Sequence, residues 1–272
     1  MEMDTGKNTL KVKNTVLEAG RPKVAVSIVS EDPKDIIVEC EAIKQMPCQI
    51  MEWRADCYLS AIEDLEGWMD RKEFYLDLIK ILDDINYIAG DMPVIFTIRS
   101  EEQGGSLRIT RDEAAEIQSL AAQSGLVDFV DIELFDENGE IDEEFLEKQI
   151  EEVHGYGCRV ILSHHDLESM PEPKVMINMA EFMKRLGADV CKIAAMSSSI
   201  EDTELLIKTT AYLHSHNVGQ LIMIAMGEAG TQSRVAAGRY GSCITFASGD
   251  RQSAPGQADV YTMERWLDEY YG

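Results

Sequence analysis

The sequence predicts an α/β protein of the (β/α)8 TIM-barrel class. Three observations carry that expectation: eight apolar, β-branched-rich runs recur along the 272 residues, helical periodicity fills the gaps between them, and no glycine fingerprint follows the first run. The runs cover residues 23–29, 49–56, 93–100, 129–135, 159–166, 189–196, 220–227 and 243–249. Most are nearly continuous in hydrophobicity rather than alternating, which is how strands covered on both faces read. Helical periodicity marks residues 112–123, 143–154, 173–186 and 201–214. Thr110 with Glu113, and Ser199 with Asp202, fit capping boxes, and Gly125, Gly155, Gly187 and Gly219 are expected at helix ends. A doubly wound open sheet is the rival. It would carry G-x-G-x-x-G after its first strand, whereas Val29 is followed by Ser30-Glu31-Asp32-Pro33. A P-loop of the form G-x-x-x-x-G-K-[ST] is also missing. Residues 9–12 and 15–18 read as a short hairpin ahead of the first strand, expected to plug the N-terminal end of the barrel. Neither a linker nor a repeat interrupts the pattern, so a single domain over residues 1–272 is expected.

Composition narrows the function. Hydrophobic residues make up 45% and charged residues 28%, with 7 prolines, so the chain is neither disordered nor collagen-like. The longest apolar run, residues 221–226, is far too short to span a membrane, and the first residues carry no secretory pattern. Lys and Arg total 25 against 50 Asp and Glu, a net charge of −25. Such a surface repels nucleic acid and anionic membranes, and an anionic substrate must meet a local arginine cluster. The six cysteines form no C-x-x-C pair, the five histidines no H-E-x-x-H. A reduced cytoplasmic protein without a metal site of that type is the expectation.

In a barrel, ionisable residues near the C-terminal ends of the strands are the informative ones. Lys192 lies inside Val190-Cys191-Lys192-Ile193-Ala194. It is either one half of an interior ion pair or an amine whose neutral, nucleophilic form is favoured by burial and can attack a carbonyl. His165 ends the fifth run, and the fifth and sixth strands are neighbours, so His165 and Lys192 can share the barrel mouth. Period-two alternation groups His165 with Ser163 and Ile161, and His164 with Leu162; one of the two histidines must face the helices. Glu52 and Arg54 share a face, Arg99 ends the third run, and Asp131 and Glu133 share a face on the fourth. These residues form either an interior ion-pair network or a set of clamps for carboxylates and hydroxyls. The segment 250–257 after the eighth run is polar and placed where a lid would close, and Arg234 follows the seventh run.

Taken together, these pieces resemble the type I 3-dehydroquinate dehydratases, the Schiff-base enzymes of the shikimate pathway. The matching segments are Glu52-Trp53-Arg54-Ala55-Asp56, Phe96-Thr97-Ile98-Arg99-Ser100, Asp131-Ile132-Glu133, Ser163-His164-His165-Asp166, Lys192-Ile193-Ala194, Gly230 with Ser233-Arg234, and Ser253-Ala254-Pro255-Gly256-Gln257. They stand in family order over residues 24–257. The resemblance implies a cytoplasmic homodimer that needs no metal or cofactor and converts 3-dehydroquinate to 3-dehydroshikimate, as part of aromatic amino acid biosynthesis. It implies Lys192 as the Schiff-base lysine and His165 as the general acid/base. Substrate contacts carry over to Glu52, Arg54, Arg99, Arg234, Ser253 and Gln257, with Ser27 and Met226 further candidates. The acidic partner of the histidine falls on Gln103, where glutamate is common, or on Glu52 or Glu133. Three positions depart from the family: Gln103 itself, His164 in place of a frequent aromatic residue, and Ile224 in place of a thioether two residues before Met226.

The chemistry fits the residues. A β-hydroxy ketone loses water slowly because its α-proton is weakly acidic and hydroxide is a poor leaving group. An iminium at Lys192 is an electron sink for the carbanion, and His165 can take the α-proton and return it to the departing hydroxyl. A class I aldolase, which breaks a C–C bond through the same iminium, is the alternative, and an inactive barrel serving as a binding module is a third reading.

Overall fold

The computed structural model describes residues 9–69, 72–251 and 256–272. Two short strands, β1 (Leu10–Val12) and β2 (Thr15–Leu17), pair antiparallel with Leu10 opposite Leu17. Eight parallel strands follow: β3 (Lys23–Ile28), β4 (Ile50–Arg54), β5 (Val94–Thr97), β6 (Phe129–Glu133), β7 (Arg159–Asp166), β8 (Val190–Met196), β9 (Gln220–Met226) and β10 (Ile244–Ala247). They pair in sequence from β3 to β9, and β10 pairs with β3. A bridge between Leu221 and Ser242 closes the ring, with Cys243 N–H donating to Leu221 O at 2.8 Å. This is the expected TIM barrel with its separate N-terminal hairpin.

Two apolar clusters explain why the strands read as continuous hydrophobic runs. The larger lies between strands and helices and includes Val26, Trp53, Phe96, Val130, Leu162 and Ile193. The smaller fills the barrel interior: Ala25, Ile50, Ile95, Phe129, Ile161, Val190, Ile222 and Ile244. Leu17 of the hairpin is buried in this inner cluster, with Leu10 and Val12 packed against it, so the N-terminal end is filled. Two residues further along the strands, the inward positions turn polar, with Ser27, Glu52, Thr97, Asp131, Ser163 and Lys192. That change from apolar floor to polar upper layer puts the chemistry at the C-terminal end of the strands.

Helix starts follow the expected chemistry. Thr110 and Glu113 form a capping box on the helix Arg111–Gln123, as do Ser199 and Asp202 on Ile200–Ser215. Each such cap stabilises by about 1 kcal/mol. Two helix ends differ from expectation. Gly155 lies inside the helix Glu143–Gly155, and the left-handed residue after it is Gly157. After Ile200–Ser215 the first left-handed residue is Asn217, ahead of Gly219. Seven of the eight strands are also shorter than their apolar runs, most of all β4, β5 and β10. At the end of β4, Ala55 and Asp56 already begin the helix Ala55–Ser60, because Arg54 turns the chain out of the extended conformation. Arg99 and Ser100 lie beyond the end of β5, and Ser248 and Gly249 beyond β10. Among the described residues, no helix is long and apolar enough to cross a membrane.

Candidate active site

A cavity of about 340 Å³ opens at the C-terminal end of the barrel. Glu52, Arg54, Arg99, Gln103, His165, Lys192, Met226, Arg234 and Gln257 line it. Ser27 and Glu133 stand behind it, bonded to residues that do line it. Ser253 lies outside the described residues.

Lys192 occupies the middle of β8, between Ser163 of β7 and Ile222 of β9, and its side chain points into the barrel. It is 4% exposed. Nζ is 2.8 Å from Asp131 Oδ2, 3.9 Å from Glu52 Oε1 and 4.7 Å from the centre of the Phe246 ring. Asp131 is fully buried, and its Oδ1 also accepts from Arg99 Nη2 at 2.8 Å and from Ser163 Oγ at 2.6 Å. Burial pushes the Asp131 carboxyl up, but Arg99 and Lys192 outweigh it and hold it at about 2. Glu52 accepts from Thr97 Oγ1 at 2.9 Å and from the Ser27 hydroxyl. Of the alternatives left open by the sequence for Lys192, the ion pair is present; it faces the cavity all the same.

His165 is two residues beyond Ser163 on β7 and turns inward with it. His164 turns outward, its ring 4.7 Å from that of Phe135. Burial, then the positive charges of Arg99, Lys192 and Arg54, hold the His165 imidazole well below the ordinary range, in its neutral form. Its backbone N–H donates to Gln103 Oε1 at 2.9 Å, and its Nδ1 is buried without a hydrogen bond. Among the described residues, no carboxylate hydrogen-bonds His165. Glu52 is engaged by hydroxyls, while Glu133 accepts from Arg99 Nη1 at 2.7 Å and from Ser100 N at 3.0 Å.

The arginines are set by local structure. Arg54 and Asp56 form a fork, Nε to Oδ1 and Nη2 to Oδ2, both at 2.7 Å. Asp56 also accepts from the backbone of Arg99 and Ser106, which ties the β5 loop to the end of β4. Burial opposes the Arg54 charge, but Asp56 more than compensates and holds its guanidinium above the usual range. Arg234 belongs to the four-residue helix Ser233–Ala236. Gly230 lets that segment tuck under β9, since a Cβ there would stand 2.1 Å from Ala225 O. Ser233 Oγ then accepts from Ala225 N and donates to Gly230 O, which aims the next residue into the cavity. Arg234 Nη1 donates to Phe246 O at 3.3 Å, and burial pushes its guanidinium down to about 10, still a cation near neutrality. Gly256, with φ +73°, passes so close to Gly227 O that any Cβ would collide, and this brings Gln257 back to the cavity.

Sequence reasoning offered Asp131 only as part of an interior ion-pair network or a set of clamps, and gave no role to Asp56 or Phe246. A carboxylate inside a barrel strand was the available signal for Asp131; its partner lies 61 residues away. Nothing local marks Phe246. Met196, Ile224 and Met226 of β8 and β9, with Leu167 beyond β7, supply apolar lining to the cavity. Among the described residues, no group of three or more His, Cys, Asp or Glu is arranged to hold a metal ion.

The sequence model of the family described as type I 3-dehydroquinase matches residues 24–272. The 3-dehydroquinate dehydratase of Listeria welshimeri is 31% identical over 264 residues, which cover 96% of this chain and 97% of the relative. That of Clostridium kluyveri is 33% identical over 259 residues, covering 95% and 96%. Among solved structures, the type I 3-dehydroquinate dehydratase of Clostridium difficile with covalently modified comenic acid superposes with a TM-score of 0.86 at 29% identity, covering 97% of this chain and 98% of that one. The 3-dehydroquinate dehydratase of Geobacillus kaustophilus gives 0.87 at 27% identity, covering 98% of each chain.

Proposed function

The chain belongs to the type I 3-dehydroquinase family, and from that premise we propose that it dehydrates 3-dehydroquinate to 3-dehydroshikimate through an iminium at Lys192, with His165 as general base and then general acid. The observation that carries the proposal is the sharing of one cavity by a buried lysine and a neutral histidine on adjacent strands. Membership of a hydro-lyase family sets aside the aldolase and inactive-barrel readings.

Once its ammonium has given up a proton, the amine of Lys192 adds to the ketone; return of that proton and loss of water give the iminium. His165, kept neutral by burial and by its cationic neighbours, takes the α-proton; the electron pair moves towards the iminium nitrogen. The same imidazole, now protonated, delivers that proton to the β-hydroxyl as it departs as water. Hydrolysis of the conjugated iminium releases the enone and regenerates the amine. Arg234 is assigned to the substrate carboxylate, and Arg54, Arg99, Glu52, Gln257, Ser27 and Ser253 to ring hydroxyls or to the residues that hold them. Met226 supplies apolar lining. The same proposal takes the protein as one domain, a cytoplasmic homodimer active without a metal or cofactor; sedimentation of the purified chain tests the dimer.

The test is turnover of 3-dehydroquinate followed by enone absorbance, with borohydride added during turnover. A reduced adduct on Lys192, lost together with activity in Lys192→Ala, is expected. An adduct on any other lysine sinks the assignment.

A further inference from the structure

The lysine nitrogen rests against a carboxylate with an unusual set of bonds. Asp131 Oδ2 meets Lys192 Nζ at 2.8 Å, while Oδ1 receives Arg99 Nη2 and the Ser163 hydroxyl. The backbone is fixed as well, with Asp131 O accepting from Gln118 Nε2 at 2.9 Å. We propose that Asp131 is a third catalytic residue, the fixed counter-ion of the iminium formed at Lys192. This inference rests on the Schiff-base reading above and adds a residue to it.

The cycle places a cationic nitrogen at this spot twice, as the ammonium at rest and as the iminium. In a buried site an unmatched cation is costly. The groups facing Nζ come from several strands. Asp131 of β6 is in hydrogen-bond range. Glu52 of β4 is at 3.9 Å, with its oxygens engaged by Thr97 and Ser27. β10 presents the Phe246 ring. His165 of β7 is neutral, and two cations complete the surroundings: Arg99, bonded to the other oxygen of Asp131, and Arg234, which lines the same cavity and bonds Phe246 O. Asp131 is thus the anion in direct contact with the reacting nitrogen.

Iminium formation balances as amine plus ketone plus one proton giving iminium plus water. The nitrogen keeps one N–H and one positive charge, and that N–H lies where the ammonium now donates to Oδ2. A strongly basic carboxylate would remove this proton and leave a neutral imine, a poorer electron sink. Arg99 and Ser163 prevent this by donating to Oδ1, and Asp131 is held at about 2 despite its burial. Asp131 therefore balances the charge without taking the proton.

Cyanoborohydride tests this because it reduces an iminium and not a neutral imine. Adduct formation with 3-dehydroquinate is followed by intact mass across pH, beside kcat, in wild type, Asp131→Asn and Ser163→Ala. In Asp131→Asn the alkaline limb of capture should move to lower pH by ~1–3 units, the usual effect of a close opposite charge, and kcat should fall at least ~10-fold. In Ser163→Ala, which strips a donor from Oδ1 and strengthens the carboxylate's hold on the nitrogen, the limb should move the other way. A lower kcat in Asp131→Asn with an unmoved limb would mean a structural role and overturn the proposal. If Asp131→Asn does not fold, Ser163→Ala decides: an unmoved or lowered limb overturns it. Wild type that captures nothing removes the Schiff-base reading itself, a separate failure.

Discussion

Gln103 Oε1 accepts the backbone N–H of His165 at 2.9 Å. This bond fixes the amide, because the end facing a backbone donor must be oxygen, and the NH2 end is left to the cavity that Gln103 lines. The histidine is thus anchored through its main chain by a neutral group. Its protonation is governed by burial and by Arg99, Lys192 and Arg54, all of which favour the uncharged ring.

The pH profile should reflect this. A general base must be unprotonated, and a folded-state pKa pushed down keeps His165 in that form as pH falls. The acid limb of kcat is therefore expected below the ordinary imidazole range of about 6.5. Gln103→Glu keeps the acceptor for the backbone N–H and adds a negative charge, which favours the imidazolium. Its acid limb should move to higher pH. Identical limbs in the two proteins would show that position 103 does not act on the histidine.

His165→Ala should lower kcat by at least ~10²-fold, the range for losing a general acid/base, while still forming adduct with the substrate. His164→Ala, which loses only an outward ring contact with Phe135, should stay within a few-fold of wild type. Equal losses would contradict the assignment of the inward face. Steady-state rates of the two variants decide it.

Arg234→Ala should raise KM by roughly 10- to 150-fold, the equivalent of about 1.5–3 kcal/mol for a charge-assisted pair. Arg234→Lys should recover only part, since an ammonium cannot form the fork. A substrate analogue without the carboxylate is the control. If Arg234→Ala weakens its binding as much as that of the full substrate, the salt bridge is not made.

Gly230→Ala tests the turn that aims Arg234. A Cβ 2.1 Å from Ala225 O cannot be accommodated without moving the segment. We expect kcat/KM for the anionic substrate to fall and thermal unfolding to occur at lower temperature. Unchanged kinetics would mean that the arginine is placed by something other than this turn.

The eight strands were legible because both of their faces are apolar, inside against Ile50, Ile95 and Phe129 and outside against the helices. Their ends were not, since Ala55 and Asp56 continue the run in composition but leave the ladder in conformation. Alternation along β7 put His165 and His164 on opposite faces, but which of them faced the barrel interior came from the resemblance. Asp131 escaped because its significance is relational. A single strand-borne carboxylate reads as half of an ion pair until the fold sets it under Lys192, and until Arg99 and Ser163 are seen to occupy its other oxygen.

The hairpin has a consequence for traffic. With Leu17 seated among the floor residues, the lower end of the barrel is stoppered and the cavity opens at the opposite end. Under the proposed mechanism, two water molecules are expelled in each turnover, at imine formation and at dehydration, and one must return for hydrolysis. All of them, with substrate and product, then use the same doorway. The vessel cannot be flushed from below, so every water and every product molecule must leave by the way the substrate came in.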